Sequence, residues 1–193
     1  MGPETLRFRS YEPPDDDAIW ELHQWAMRET GVVPSDIPGT DDLRSIQTAY
    51  LDSGGAFVVG IADSVAGDGS ESVATAGASE TSAPDALATH DGTVVAMGGY
   101  IPNSAGHADE RDRPGAAELH RMRVAPPYQR RGFGRELITE LERRATAAGF
   151  ETVLATTSTR QSAALSFYPD QGYEEVERST AGEYELVHYE KQL

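Results

Sequence analysis

The chain has 193 residues, no cysteine and a formal charge of −16, from 32 acidic and 16 basic side chains. This length suits one domain with a sizeable core, and the lack of cysteine excludes disulfides and thiol catalysis. The acid excess disfavours nucleic acid and anionic membranes as partners, so any anionic ligand needs a local basic site.

The sequence carries no segment typical of membranes or secretion. No run approaches the roughly 18 apolar residues of a membrane span, and residues 1–10 lack the apolar segment of a secretory signal. We therefore expect a cytoplasmic protein. Lys191 is the single lysine, and the acid excess is spread along the chain, as in proteins of salt-loving organisms. We expect a halophilic origin, with an acidic protein from a GC-rich genome as the alternative.

The N-terminal half shows strand and helix patterns in alternation. Apolar spacing and turn signals predict strands and helices in this order: a strand at 6–9, a helix from Pro13 through Ala26, a second helix from Asp41 or Asp42 to Leu51, and strands at 56–61 and 93–101. Between the last two strands, residues 62–92 hold no Lys, Arg or aromatic residue and very few large apolar ones. This composition predicts a disordered acidic insertion within a single domain spanning 1–193.

The C-terminal half continues the mixed pattern. Its segments predict a polar loop at 102–115, a strand at 117–124 that Pro126 and Pro127 terminate, a helix at 134–148, a strand at 152–157, a short helix at 161–169 and two strands after Tyr173. The order is mixed α/β, with helices between strands in the middle and a hairpin at the end.

The segment after the strand at 117–124 has the features of an anion-binding loop. It contains Gly132 and Gly134 and leads directly into a helix, whose first N–H groups favour a phosphate. No acidic residue occurs between Arg121 and Arg135, and the same stretch includes Arg123, Arg130 and Arg131. A Rossmann loop would need a small residue where Leu137 stands. A Walker loop would need Gly-Lys-Ser/Thr, and the single lysine of the chain is Lys191.

Two motifs resemble the GNAT (GCN5-related) N-acetyltransferase superfamily. The first is Gln129-x-x-Gly132-x-Gly134, which resembles the pyrophosphate-binding loop. The second runs from Gln161 through Ala164, Phe167 and Tyr168 to Gly172-Tyr173. It departs from the family pattern at Gln161, where Asn is usual, and at Tyr173, where Phe is usual. The likeness spans nearly the whole chain except 62–92.

The resemblance implies a fold and a cofactor. The fold is the GNAT acyl-CoA N-acyltransferase fold, an α/β (α+β) arrangement with a central, mostly antiparallel sheet of six to seven strands flanked by four helices. The co-substrate is acetyl-CoA. The implied cofactor-binding residues are Met122, Arg123, Val124, Gln129, Arg130, Arg131, Gly132, Phe133, Gly134, Arg135 and Gln161.

The resemblance also implies catalytic residues. Glu118 lies where several members carry a catalytic base, although it could be an ion-paired carboxylate. His120 shares its strand face by period-two alternation and could relay a proton or simply be a hydrogen-bonded histidine. Tyr168 matches the family's general acid, with a core tyrosine as the alternative.

The resulting hypothesis is an N-acetyltransferase. Acetyl-CoA would be attacked directly by a primary amine of a small molecule or amino acid in a ternary complex, with the acceptor bound by 20–47 and 102–115. A protein N-terminal or lysine acetyltransferase and a non-catalytic acyl-CoA sensor are the alternatives. We expect no metal site, no nucleic-acid or membrane partner, and possibly a homodimer by analogy with the family.

Overall fold

The structure, a computed structural model, describes residues 6–28, 40–62, 85–106 and 110–193. These residues form three α-helices, α1 (Asp16–Arg28), α2 (Phe133–Ala147) and α3 (Ser162–Asp170). They also form eight strands: β1 (Arg7–Ser10), β2 (Ala56–Ala62), β3 (Ala88–Thr89), β4 (Gly92–Pro102), β5 (Ala117–Val124), β6 (Thr152–Ser158), β7 (Glu174–Ala181) and β8 (Tyr184–Gln192). Within the described residues, no helix has the length and apolar character needed to cross a membrane.

All eight strands belong to one mixed sheet. Its order is β1-β2-β4-β5-β6-β8-β7, with β3 paired to β4. The pairs are antiparallel except β5 with β6, so the predicted mostly antiparallel α/β sheet is confirmed. The strand count exceeds the predicted six to seven because β3 adds a two-residue strand.

The predicted helix between Asp41 and Leu51 is not one regular helix. A 3-10 turn, Thr40–Arg44, is followed by a π-helical turn, Gln47–Leu51. Tyr50 in the second turn is buried against the sheet, where a Cβ on Gly99 would come within 2.8 Å of its ring. Glycine at 99 therefore allows this close approach, and packing on the sheet overrides the local helical preference.

The helices α1 and α2 cover opposite faces of the sheet. The α1 helix contacts β4 and β5, and its buried stripe includes Ile19, Leu22 and Trp25, as predicted. The α2 helix buries the predicted stripe that includes Leu137 and Leu141. Polar faces point outward, so both helices are held by apolar burial worth about 25 cal/mol per Å².

The strands β5 and β6 run side by side for only a short distance. Their register covers three pairs, from Ala117↔Val153 to Leu119↔Ala155. Beyond this point β5 continues to Val124 and β6 to Ser158 without pairing to one another. The separation leaves an open edge on β5, at which an extended ligand can pair with the backbone.

A β-bulge changes the direction of the side chains in β5. Arg121 has a left-handed backbone, with φ of 54°, and Arg121 and Met122 together stand opposite Gly98 of β4. The register around the bulge is Ile101↔Glu118, Gly99↔His120 and Met97↔Arg123. Directly paired residues point to the same face, so the bulge places Arg123 on the face of Glu118 and His120. Simple alternation would place it on the other.

The predicted insertion at 62–92 is ordered at its C-terminal end. Residues 63–84 lie outside the described residues, but 85–92 form a 3-10 turn, β3 and the turn into β4. Leu87 is fully buried, and the turn that carries it contacts α1. Asp91 forms ion pairs with Arg7 and Arg9. Within the insertion predicted at 62–92, one buried leucine, strand pairing and ion pairs thus anchor residues 85–92, although the average composition of the segment is polar.

The Leu87→Ala substitution should lower the free energy of unfolding by about 2–5 kcal/mol, since it removes a fully buried side chain and leaves a cavity. Urea unfolding in molar KCl would measure it. Val176→Ala is the control, because Val176 is 43% exposed and its truncation should change stability by less than about 0.5 kcal/mol. Equal small effects for both variants would contradict the anchoring role of Leu87.

Candidate active site

Two side chains predicted from the sequence, one acidic and one basic, are buried together on one face of β5. Glu118 is 1% exposed and His120 is 9% exposed, and the register places both on the face covered by α1 and Tyr50. The predicted shared face of these residues is therefore confirmed. A charged group with so little contact with water requires polar partners.

Glu118 receives hydrogen bonds from two neighbouring elements. The Nδ2 of Asn103, in the turn after β4, donates to Oε2 at 3.3 Å, and the hydroxyl of Thr156 on β6 donates to Oε1 at 3.0 Å. Both donors favour the ionised carboxylate. Asn103 is itself held by the 103–113 loop, since its amide donates to the Arg111 carbonyl at 2.8 Å and its Oδ1 accepts from the Arg113 N–H.

The hydrogen bonds continue from Glu118 across the sheet. Thr156 Oγ1 lies 3.0 Å from His188 Nδ1 on β8, and His188 Nε2 lies 2.7 Å from the Ser179 hydroxyl on β7. The Thr156 hydroxyl has one proton, which it gives to Glu118, so His188 must donate from Nδ1. In the neutral imidazole Nε2 then accepts from the Ser179 hydroxyl. The chain therefore links the carboxylate to a half-buried hydroxyl on β7.

Sequence reasoning did not find Asn103, Thr156 or His188. In the sequence, His188 is one of several scattered histidines. Its contact with Thr156 forms only because β6 pairs with β8. Thr156 stands directly opposite His188 in that register. The one available signal was alternation along β6 and β8, which places a threonine and a histidine among apolar neighbours.

His120 and Arg121 each face a carboxylate. His120 Nε2 lies 3.2 Å from Oε1 of Glu110. Arg121 Nε donates to the Asp42 carboxylate at 2.9 and 3.1 Å, and the Tyr50 hydroxyl donates to the same carboxylate at 2.6 Å. Burial raises the pKa of Tyr50 well above its usual value, and Asp42 adds to this shift. Residues from 20–47 and 102–115 thus line this face, where the acceptor was predicted to bind.

Arg123 differs from Arg121 in having no carboxylate partner in the described part of the chain. Its Nη1 donates to the Met122 carbonyl at 2.7 Å, and its buried Nε has no hydrogen-bond partner among the described residues. Burial lowers the pKa of Arg123 to about 10, and the charge of Arg121 contributes.

His23 on α1 lies next to these arginines and is fully buried. Neither ring nitrogen has a hydrogen-bond partner among the described residues, and the ring stacks on Trp20 at 5.8 Å between centroids. Burial lowers the pKa of His23 to about 4, with the charges of Arg123 and Arg121 acting in the same direction. His23 is therefore neutral near pH 7. No sequence pattern assigns His23 a role.

Tyr168 on α3 completes the cluster. It is 9% exposed and packs among the rings of Phe167, Tyr173 and Tyr189. Burial raises the pKa of Tyr168 to about 12, the Arg123 charge opposes this shift and the Glu118 charge adds to it. Tyr168, Arg123 and Glu118 therefore interact electrostatically within one site, and the phenol keeps its proton at neutral pH.

The predicted anion-binding loop joins β5 to α2. Pro126–Tyr128 forms a 3-10 turn, and Gly132, at the start of α2, has a φ of +96° that disfavours any side chain. The N–H groups of Gly132, Phe133 and Gly134 donate to no backbone carbonyl in the described part of the chain. They are available to an anion at the positive end of the helix dipole.

The remaining predicted binding residues occupy different positions around this loop. The side chains of Gln129, Arg130, Arg131 and Arg135 are exposed, whereas Phe133 is 2% exposed and offers only its backbone. Gln161 lies at the start of α3, and its carbonyl accepts the Ala164 and Leu165 N–H groups. Met122 and Val124 are half-buried on β5. Among the described residues, no group of three or more His, Cys, Asp or Glu side chains could hold a metal ion.

Comparison with known proteins gives the family. A model of the acetyltransferase (GNAT) family matches residues 19–173. The chain therefore belongs to the GNAT acetyltransferase family, and the predicted family and acetyltransferase class are confirmed. A comparison of the sequence with curated proteins gives no significant match.

Solved structures share the whole fold at low sequence identity. A GNAT-family acetyltransferase from Staphylococcus aureus Mu50 has a TM-score of 0.67 and 17% identity, over 97% of this chain and 99% of that one. The PaiA N-acetyltransferase of Thermoplasma acidophilum, in complex with coenzyme A, has a TM-score of 0.66 and 16% identity, over 98% and 99%. The ribosomal-protein-S18-alanine N-acetyltransferase of Escherichia coli has a TM-score of 0.61 and 16% identity, over 97% and 94%. The predicted GNAT fold is confirmed.

The Gly132→Ala substitution should weaken coenzyme A binding by at least about tenfold, because a side chain at this φ strains the loop by about 1–2 kcal/mol and moves its amides. Isothermal titration calorimetry in molar KCl measures the affinity. Gly149→Ala is the matched control, since Gly149 has a φ of +92° and equally open space around its Cα. The control should lose stability but bind coenzyme A as the wild type does. Equal affinities of the two variants for coenzyme A would contradict the role of the loop in binding the cofactor.

Proposed function

We propose that this protein transfers the acetyl group of acetyl-CoA to a primary amine of a small molecule or amino acid, by direct attack in a ternary complex. The observation that carries the proposal is the arrangement around the β5–β6 gap. A buried carboxylate, Glu118, and a protonated phenol, Tyr168, share one electrostatic site. The gap lies beside a loop with unpaired backbone N–H groups.

The donor would bind along the open edge of β5 and under the loop. The amides of the pantetheine arm would pair with the backbone of Met122, Arg123 and Val124 as an added strand. The pyrophosphate would sit on the N–H groups at the start of α2, with contributions from the exposed arginines. The full set proposed to bind the cofactor is Met122, Arg123, Val124, Gln129, Arg130, Arg131, Gly132, Phe133, Gly134, Arg135 and Gln161. The coenzyme A complex of the similar Thermoplasma enzyme supports this cofactor.

Glu118 would accept the proton of the attacking amine. A lysine-like amine has a pKa of about 10.4 and is mostly protonated at neutral pH, so a base must take its proton before or during attack. The hydrogen bonds from Asn103 and Thr156 would fix the orientation of the carboxylate. Glu118 is almost fully buried, so the proton would reach it through a short water or side-chain path.

Tyr168 would protonate the leaving group. The amine nitrogen forms a bond to the thioester carbonyl carbon, and the C–S bond then breaks with its electron pair on sulfur. The phenol gives its proton to that thiolate and regains one from solvent. With a pKa of about 12, Tyr168 carries its proton at neutral pH, as a general acid must.

A protein N-terminus is the second candidate acceptor. Its support is the similarity to the ribosomal-protein-S18-alanine N-acetyltransferase of E. coli, whose name gives a protein as its acceptor. Release of free thiol from acetyl-CoA, measured in molar KCl with a panel of small amines, amino acids and N-terminal peptides, separates the candidates. A non-catalytic sensor would bind acetyl-CoA and release no thiol with any of them, and this result would refute the proposed reaction.

The Tyr168→Phe substitution should lower kcat by about 10²- to 10⁴-fold while leaving the affinity for acetyl-CoA within about threefold, because it removes the proton for the leaving thiolate but not the packed ring. The loss should be the same from about pH 6 to about pH 9, since a phenol with a pKa of about 12 does not titrate there. Tyr184→Phe, on β8, serves as the control and should retain full activity. Wild-type turnover in Tyr168→Phe would exclude the acid role.

The Thr156→Val substitution tests the support of Glu118. Loss of a donor that favours the charged carboxylate should move the acidic limb of the kcat/KM–pH profile to higher pH and lower activity at pH 6 by about tenfold. Thr157→Val is the matched control, because Thr157 is buried on the opposite face of the same strand.

Glu118→Gln should lower kcat/KM by about 10²- to 10⁴-fold at all pH values. An unshifted profile in Thr156→Val and full activity in Glu118→Gln would show that the base lies elsewhere.

A further inference from the structure

Arg123 is a cation whose hydrogen-bonding capacity is largely unused. Its guanidinium has five N–H donors, and within the described part of the chain it makes one hydrogen bond, from Nη1 to the Met122 carbonyl. The Nε atom is shielded from water and has no partner. Arg121, two residues earlier, is matched by the Asp42 carboxylate instead.

The nearby carboxylates are already engaged by other donors. Asp42 accepts from Arg121 and Tyr50, and Glu118 accepts from Asn103 and Thr156. Arg123 is half-buried, and its shielded Nε has no carboxylate in hydrogen-bond contact among the described residues. Each missing hydrogen bond to a charged group leaves part of its desolvation uncompensated. An anionic group of the substrate would supply the hydrogen-bond acceptor that the described residues do not offer to the Nε of Arg123.

The position of Arg123 indicates which substrate would supply that anion. The bulge turns Arg123 onto the face of Glu118, beneath α1 and away from the exposed loop at 129–135. Its electrostatic neighbours are Arg121, Tyr168, Tyr50, Asp42 and His23. This is the side on which an acceptor amine would approach Glu118, whereas the phosphates of coenzyme A would lie beyond Val124 at the start of α2.

His23 lies beside Arg123 and adds polar atoms but no charge. Because its pKa is lowered to about 4, the ring is neutral near pH 7. Its nitrogens are nevertheless free of partners among the described residues. The uncompensated positive charge at this place is therefore that of Arg123, and a planar guanidinium matches a planar carboxylate through two parallel hydrogen bonds.

We propose that Arg123 binds a carboxylate of the acceptor, so that the acceptor is an amino acid or another amine that carries a carboxylate. The inference rests on the proposed acetyl transfer and narrows its substrate class. It disfavours protein N-termini, since the carboxylate of an N-terminal residue is consumed in its peptide bond. It also gives the Arg123 side chain a role separate from that of its backbone in cofactor binding.

The test compares amino acids with their carboxamides, which keep the amine and lose the charge. Wild-type protein in molar KCl should acetylate the best amino acid with a kcat/KM at least about 100-fold above that of its amide, because the amide leaves a charged donor unpaired. Arg123→Gln should lower the value for the amino acid by about 100-fold relative to the value for its amide, so that the preference for the carboxylate is lost. Arg123→Lys, which keeps the charge, should retain part of the preference. Arg143→Gln, on the exposed side of α2, is the control and should behave as wild type.

Three results would overturn the inference. One is an equal kcat/KM of the wild-type protein for amino acids and for their amides. This measurement needs no variant, so it does not depend on whether Arg123→Gln folds. The second is an equal loss for both acceptors in Arg123→Gln, which would place the guanidinium on the thioester. The third is a raised KM for acetyl-CoA with an unchanged acceptor preference, which would place it on the cofactor. Calorimetry with acetyl-CoA separates these from failure of the proposed function, since a protein that binds no acetyl-CoA refutes both together.

Discussion

The separation of β5 and β6 is the constraint on which the rest of the site depends. The two strands form three parallel pairs and then diverge, although both continue for several residues. Had the pairing continued, the backbone groups of β5 would be satisfied by β6, and no ligand could pair there. Because it stops, Glu118 lies at the closed end of the gap, the loop before α2 lies beyond the open end of β5, and Tyr168 reaches the same region from α3.

The electrostatics of this gap run against those of the whole molecule. The chain carries a formal charge of −16, yet the face of β5 beneath α1 has two arginines, of which one is neutralised by Asp42. Low exposure makes the remaining charge effective over short distances, and it helps to keep His23 neutral. Anionic groups are therefore favoured locally in a protein that repels them elsewhere. Salt screens the outer surface more strongly than this interior region.

The hydrogen-bond chain from Asn103 to Ser179 shows how a polar group is maintained inside an apolar sheet. Each member satisfies its neighbour, and the single proton of the Thr156 hydroxyl fixes the tautomer of His188. Such a network is stable only when it is complete, because each unsatisfied member would pay the cost of burial. The network thus orients Glu118 and couples it to a hydroxyl on β7, three strands away in the sheet.

The sequence by itself determined the elements, the family and the chemical identity of the central residues. The bounds predicted for β5 are those observed, and the helix predicted at 134–148 begins and ends one residue earlier, because apolar periodicity, proline and glycine act over a few residues. The tertiary structure alone decided where those side chains point and what they meet. Alternation along β5 places Arg123 opposite His120, whereas the bulge at Arg121 reverses that, and bulges depend on pairing with β4. Thr156, His188 and Leu87 likewise acquire their partners only through strand register and packing, which join residues far apart in the chain and leave no local pattern from which to infer them.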